Sequence, residues 1–323
     1  MHTATLAFLL CGALFFFFYY INFASKRSVV HFISEADELT FGSYSWDKSN
    51  GTSGRQFSTS LLRYLDYWKV ADRFRYEGQA FQARDVVFVT YASSNHFAES
   101  KLFIVDLRKR LKNRIIYYDI GLEAKEIEEL RCVCNLELRK FDFTLYPSFV
   151  RTLLHYHFKP IIVAEVFSQF PAFWIVDASV RFFNISELNK FYSKVQSSEI
   201  ESFSVRQPAE HSIYASTHAG MLQYLPIDLA LSKRREMGEA NTMFVWWSDY
   251  AREAVKWNVL CALTEDCIAP IGSSIFCNFT ADRLNDYAGC HRYDQSSINI
   301  ITTSLLEKYG RPQNNRGPDE TMK

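Results

Sequence analysis

From residue 85 onward the chain settles into an alternation that permits few folds. "DVVFVTYAS" is a short apolar run of strand composition, "HFAESKLFIVDLRKRLK" spaces its apolar residues every three or four positions, and "RIIYYDIGL" is a second apolar run. "EAKEIEELRCVC" then reads as a second helix, "LELRKFDF" as a short third strand, "FKPIIVAEVFSQF" as a further helix and "AFWIVDASVRF" as another strand. Strands alternating with helices, each strand too apolar to leave a face in water, imply an α/β domain. Its sheet is mostly parallel, with helices on both faces. Ahead of it, "LLRYLDYWKVADRFRYEG" has the spacing of an amphipathic helix. No internal repeat is present.

The rest of the chain sets the compartment. Residues 4–23 carry no charged side chain and at ~1.5 Å per residue span roughly 30 Å, the thickness of a bilayer's hydrocarbon. No Lys or Arg precedes this run, so an uncleaved signal-anchor helix is expected in preference to a cleaved signal peptide, with a secreted protein as the alternative. Lys26 and Arg27 would by charge bias put the following residues in the cytosol. Against that stand three Asn-x-Ser/Thr acceptors, Asn50, Asn184 and Asn278, and six cysteines after the run: Cys132, Cys134, Cys261, Cys267, Cys277 and Cys290. The last four crowd together without a paired C-x-x-C, which favours disulfides, and hence an oxidising compartment, over a zinc site. Cys132 and Cys134 are poorly placed to bridge each other, so each pairs elsewhere or stays reduced. The expected organisation is an N-terminal tail and anchor at 1–24, a Ser/Gly-rich stem or irregular lead-in at 25–58, a lumenal domain at 59–310 and a polar tail at 311–323. Lysine and arginine balance the acids at 36 against 36 with no long basic run, so nothing recommends a nucleic-acid partner.

One stretch concentrates the functional question. "FWIVDASVRFF" is a buried strand that runs into Asp177, Ser179 and Arg181. Ligands of open α/β sheets gather at the carboxyl ends of strands, although an aspartate there is also a common turn residue. A second block, "GCHRYDQSSINIIT", sets His291, Asp294 and Gln295 at the start of an apolar helix. Asp294 reads equally as a helix N-cap, and a helix N-terminus also receives phosphates or sugar hydroxyls. Trp246, Trp247 and Trp257 are either sugar-stacking faces or core. Glu265 and Asp266 lie between two cysteines, as a base or as a solvated loop.

The order strand, helix, strand followed by "FKPIIVAEVFSQFPAFWIVDAS" resembles the nucleotide-sugar half of GT-A-type glycosyltransferases. In that superfamily a strand written apolar-apolar-apolar-Asp-x-Asp ends at a divalent metal held against both phosphates of the donor. The resemblance implies a GT-A-like fold, a nucleotide-sugar donor and Mn²⁺ or Mg²⁺ as cofactor. Asp177 stands at the first acidic position and holds the donor ribose or the metal. Ser179 replaces the second acid and brings no charge, so another carboxylate or His291 completes the shell, or the metal is weak or absent. Arg181 is then a metal-free way to neutralise a phosphate, or simply a surface residue. Asp294 and Gln295 orient a sugar hydroxyl, and Asp294 is the base if the reaction inverts.

A second resemblance covers residues from about 85 to 309. The W-x-x-D-x-S-x-R and C-H-R-Y-D-Q-S blocks, with "KWNVLCALTEDCIAP", are similar to an expanded nematode family of uncharacterised membrane-anchored proteins defined by a domain of unknown function. Together the two imply a type II membrane glycosyltransferase of the Golgi or endoplasmic reticulum, acting on a glycan, protein or lipid acceptor. The alternative is a GT-A-like binding or scaffold protein, anchored or secreted, that has lost the chemistry; Ser179 is its evidence.

Overall fold

The structure is a computed structural model and describes residues 39–42, 52–181 and 186–309. The anchor expected at 4–23, the acceptors Asn50 and Asn184 and the tail at 311–323 lie outside these residues. Among the described residues no helix is long and apolar enough to cross a membrane.

Strands β1 (Thr40–Gly42) and β2 (Ser53–Gln56) form a small antiparallel pair ahead of α1 (Leu62–Tyr67). Next come β3 (Val87–Ala92), α2 (Phe97–Arg110), β4 (Ile115–Asp119), α3 (Ala124–Arg131), β5 (Leu136–Lys140), α4 (Phe158–Phe167) and β6 (Ala172–Val176). The chain continues through α5 (Ser186–Gln196), β7 (Phe203–Ser212), α6 (Leu229–Arg234) and β8 (Glu236–Trp246). It ends with α7 (Asp249–Ala262), the single-turn α8 (Glu265–Ile268) and α9 (Tyr293–Lys308).

The main sheet has the order β5-β4-β3-β6-β8-β7. Strands β5, β4, β3 and β6 are parallel, and β8 runs against both β6 and β7. Every residue of β3, β4 and β6 is buried, as strands covered on both faces must be. Their side chains divide by pleat. Val87, Val89, Tyr91, Ile116, Tyr118, Phe173 and Ile175 join the core formed with α4, α7 and α9. Phe88, Ile115, Tyr117, Trp174 and Val176 join the core formed with α2 and α5. The mostly parallel sheet with helices on both faces is therefore as the alternation dictates.

Topology fixes where a ligand can enter. The chain winds outward from β3 through β4 to β5, then returns to lay β6 on the other side of β3. The connections leaving β3 and β6 head for opposite edges of the sheet, and it is at the carboxyl ends of such a strand pair that open α/β sheets form a ligand crevice. Helix α4 is apolar on nearly every side, so it is buried almost throughout and packs between the sheet and α7.

One expectation needs correction. The amphipathic pattern at 61–78 yields only α1, because Lys69 adopts a left-handed φ of 57° and Asp72 is drawn to Arg252 Nη1 at 2.9 Å and Lys256 Nζ at 2.5 Å on α7. Within the segment expected as a stem or irregular lead-in, residues 39–42 and 52–58 are described. Leu39, Phe41 and Phe57 are buried in the core, with Phe41 set edge-on to Trp257 at 5.3 Å. Three such side chains contribute about 1.5–3 kcal/mol each, enough to hold a segment whose other residues prefer water.

Candidate functional site

Asp177 follows the last residue of β6, and its N–H donates to the Asn241 carbonyl of β8 at 2.8 Å. That bond carries sheet pairing one residue past the strand and fixes the side chain at the crevice. Beneath it lies Lys159, in the first turn of α4. Lys159 Nζ is 3.2 Å from Asp177 Oδ1 and 3.5 Å from Oδ2, and it donates to the Ala240 carbonyl at 3.2 Å. It also lies 3.0 Å from Asp294 Oδ2, in the first turn of α9. This last contact has ion-pair distance without hydrogen-bond alignment, so the buried Oδ2 has no aligned donor. Tyr91, from β3, donates its hydroxyl to Asp177 Oδ1. Two of the acids singled out by sequence thus converge on one lysine.

The electrostatics follow from burial. Lys159 is 3% exposed, and burial opposes its charge, but Asp177 and Asp294 outweigh that penalty and hold it well above the usual lysine range. Burial pushes Asp294 up, with Lys159 pulling the other way. Tyr91 is held well above the usual tyrosine range by burial and then by the Asp177 carboxylate, so it remains a neutral donor. A lysine at a helix N-terminus faces the positive end of the dipole, whereas Asp294 sits at the favourable end of α9. The carboxylates are therefore what keep Lys159 charged.

The backbone around the cluster is strained. Tyr156, two residues before α4, has φ 56°, and Tyr293, immediately before Asp294, has φ 43°. Side chains other than glycine occupy this region at a cost of order 1–3 kcal/mol, and such residues gather at functional sites. Tyr156 also lies over the Lys159 ammonium, 5.3 Å from ring centroid to Nζ. On β8, Asn241, whose carbonyl holds the Asp177 N–H, donates from Nδ2 to Glu239 Oε2 at 2.5 Å. Burial raises Glu239; Arg292 lowers it and Asp177 adds to the rise. Asp119, at the neighbouring end of β4, is committed to its own turn, where Oδ1 accepts from the N–H groups of Gly121 at 2.8 Å and Leu122 at 2.7 Å. Gly121 needs its φ of 138° for that turn.

The remaining sequence candidates fall into distinct places. Ser179 is exposed beside Asp177, and Gln295 is half-buried next to Asp294. Arg181 is committed elsewhere: Nη1 donates to the carbonyls of Ala178 and Val180, both at 2.7 Å, and Nη2 to that of Glu99 at 3.1 Å. It ties the loop after β6 to α2. His291 is fully buried, with Nδ1 accepting from His218 N–H at 3.1 Å and Nε2 donating to the Ile268 carbonyl at 3.0 Å. Burial lowers its pKa to about 3, so it is a neutral structural histidine with no lone pair for a metal. Asp294, expected as a base, is 6% exposed and pressed against Lys159, which removes it from any acceptor proton. Trp246 and Trp247 donate to the carbonyls of Gln79 at 2.9 Å and Phe167 at 2.7 Å, and Trp257 packs on Phe41 and Phe57. All three are framework. Glu265 and Asp266 are exposed in α8.

Cysteine chemistry is simpler. Cys261 pairs with Cys267 and Cys277 with Cys290, while Cys132 and Cys134 are free and exposed, outside the disulfide set. Asn278 is exposed.

The residues present do not fit a divalent cation. Among the described residues no group of three or more His, Cys, Asp or Glu converges, His291 is closed, and the point between Asp177 and Asp294 holds the Lys159 ammonium. Lys159 is the cation that sequence reasoning passed over; Arg292, two residues before Asp294, has a buried Nε without a hydrogen-bond partner. Burial raises Tyr156, with the Lys159 ammonium as the largest charge opposing that rise. Lys159 was legible as a lone cation in the otherwise apolar start of "FKPIIVAEVF". Tyr91 carried no such signal.

Residues 35–164 match a family described as "Protein of unknown function (DUF1647)". The matched segment contains Tyr91 and Lys159 and stops before Asp177 and Asp294. No curated protein matches the chain. Among solved structures, it is similar to the galactosyltransferase LgtC in complex with donor and acceptor sugar analogues, at 9% identity and a TM-score of 0.40, over 67% of this chain and 70% of that one. It is also similar to core-mannan synthase A from Aspergillus fumigatus in its Mn/GDP form, at 8% identity and a TM-score of 0.38, over 83% of each chain.

Proposed function

We propose that the chain is a glycosyltransferase that takes a nucleotide-sugar donor in the crevice at the ends of β3 and β6 and passes the sugar to a glycan, protein or lipid acceptor. The observation that carries this reading is the convergence of Asp177 and Asp294, from two separate sequence blocks, on buried Lys159 at the topological switch point. Such crevices are where α/β sheets bind ligands. With Oδ1 held by Tyr91 and Lys159, the partly exposed Asp177 carboxylate is pre-oriented as an acceptor for a ribose or sugar hydroxyl pair. Asp294 anchors Lys159 from below. Gln295, half-buried next to Asp294, orients a sugar hydroxyl.

The two disulfides support an oxidising compartment, and with the apolar run at 4–23 they favour a single-pass type II protein of the Golgi or endoplasmic reticulum. A second reading, a binding protein on the same frame without turnover, is favoured by Ser179 and by the prior neutralisation of both acids. Thermal-shift titration of the purified full-length protein with UDP-, GDP- and CMP-sugars tests donor binding, because a ligand of the folded state raises its midpoint. A rise with one donor, lost in Asp177→Asn, places the donor at this crevice, and hydrolysis of that donor then separates enzyme from binding protein. No rise with any donor refutes both readings of the crevice.

A further inference from the structure

Two carboxylates meeting at a strand end are an ordinary setting for a divalent cation, and here the space between them holds an ammonium. Lys159 Nζ has oxygens on three sides: Asp177 Oδ1 at 3.2 Å, Asp294 Oδ2 at 3.0 Å and the Ala240 carbonyl at 3.2 Å. The rings of Tyr91 and Tyr156 stand 5.6 and 5.3 Å from Nζ. A doubly charged ion entering this shell would meet a like charge at contact distance in a buried setting, where repulsion is weakly screened.

Packing alone does not call for this lysine. It lies at the end of α4 where a cation is disfavoured, and apolar replacements of buried ion clusters are commonly neutral or stabilising. Its position against the rings of Tyr91 and Tyr156, under the partly exposed Asp177 carboxylate and beside a buried Asp294 oxygen with no aligned donor, points to a ligand instead.

We infer that Lys159 is the built-in cation of the crevice, occupying the position of a divalent metal, so that the protein binds its anionic ligand without Mn²⁺ or Mg²⁺. The ligand half of this inference rests on the donor reading given above; the cation half does not. Asp177 and Asp294 are then the two faces of a closed charge cluster around that ammonium. A tethered ammonium cannot be chelated, so ligand binding ignores EDTA.

The test is a Mn²⁺ titration of the purified full-length protein, followed by the electron paramagnetic resonance of free Mn²⁺ with no donor present. Wild type and Asp177→Asn should take up Mn²⁺ alike. Lys159→Met, which leaves two carboxylates facing an empty position, should gain one equivalent bound at least about ten-fold more tightly. Lys159→Met/Asp177→Asn should lose that gain, and Lys159→Arg should never acquire it. Wild-type uptake that Asp177→Asn abolishes would overturn the inference, as would a folded Lys159→Met protein that gains no Mn²⁺. If Lys159→Met fails to fold, the comparison of wild type with Asp177→Asn decides alone. A donor-induced midpoint shift equal in EDTA and in Mn²⁺ supports the ligand half, and one that requires Mn²⁺ overturns it. Absence of any donor shift refutes the transferase reading and leaves the Mn²⁺ titration to decide the rest.

Discussion

Replacing Lys159 by methionine keeps most of the side-chain volume and removes only the charge, so the loss it causes measures the ion cluster rather than a cavity. Removing one member of a buried pair leaves the other charge unpaired, at about 3–5 kcal/mol. For a domain of this size each kcal/mol moves the midpoint by about 2–4 °C, giving a fall of about 6–20 °C. The loss should also depend on pH. Asp294 has a raised pKa in the folded protein, so its contribution to stability is fully present below the ordinary carboxylate pKa and is lost as pH rises through the raised one. Without Lys159 opposing the rise, that window extends upward. The variant should therefore lie close to wild type near pH 4 and well below it near pH 8. Lys159's own contribution is present below the ordinary lysine pKa and lost only as pH rises through its higher folded value, so it adds no slope in the same range. Differential scanning fluorimetry across that range measures the effect, and Lys159→Met/Asp294→Asn should recover most of the loss. A midpoint drop under about 2 °C near pH 8, or an equal drop at every pH, would show that Lys159 is not the counter-ion of the two carboxylates.

Asp177→Asn leaves Lys159 paired with Asp294 and should cost only about 1 kcal/mol while abolishing donor binding; a larger loss of stability with donor binding intact would reverse its assignment. Cys277→Ser opens a loop of 13 residues and should cost about 3 kcal/mol, read by chemical denaturation under oxidising conditions, and a loss below about 1 kcal/mol would mean the bridge is not closed in the native protein. His291→Phe strands the His218 N–H and the Ile268 carbonyl, so it should lower stability by about 1–3 kcal/mol per group, read by chemical denaturation; Mn²⁺ uptake that disappears with it would instead make His291 a ligand. Arg181→Ala should destabilise the loop after β6 by about 1.5–3 kcal/mol with donor affinity within about two-fold once folded, and a ten-fold loss of affinity, about 1.4 kcal/mol, would return Arg181 to the phosphates.

Much of the frame was legible because it rests on local periodicity. The all-buried runs of β3, β4 and β6 and the spacing of α2 and α3 announce themselves residue by residue. Where a tertiary contact overrode the local signal, the reading failed. The helix after residue 61 ends at Tyr67 with Lys69 left-handed, and the chain beyond it is held by Asp72 on Arg252 and Lys256, far along the sequence. In the polar lead-in, Leu39, Phe41 and Phe57 are buried in the core, an anchoring that average composition does not announce. His291 and Arg181 had the chemistry of a site, but the partners that occupy them are backbone groups, Ile268 and His218 for one, Ala178, Val180 and Glu99 for the other. Backbone partners leave no trace in a sequence.

By itself the sequence determined the alternation of strands and helices, the sidedness of each element, the placement of Asp177 at a strand end and of Asp294 at a helix start, and the set of cysteines available for bridging. Each of these follows from a few neighbouring side chains and the period of the backbone. Only the tertiary structure decided that β6 returns beside β3, that α4 and α9 pack against α7 with their N-terminal turns together, and that Asp177, Asp294, Tyr91 and Lys159 therefore share one charge cluster. Convergence of groups so distant in sequence depends on how whole elements cross and pack. No local pattern encodes that, because the contact energies that select it exist only once the core has formed.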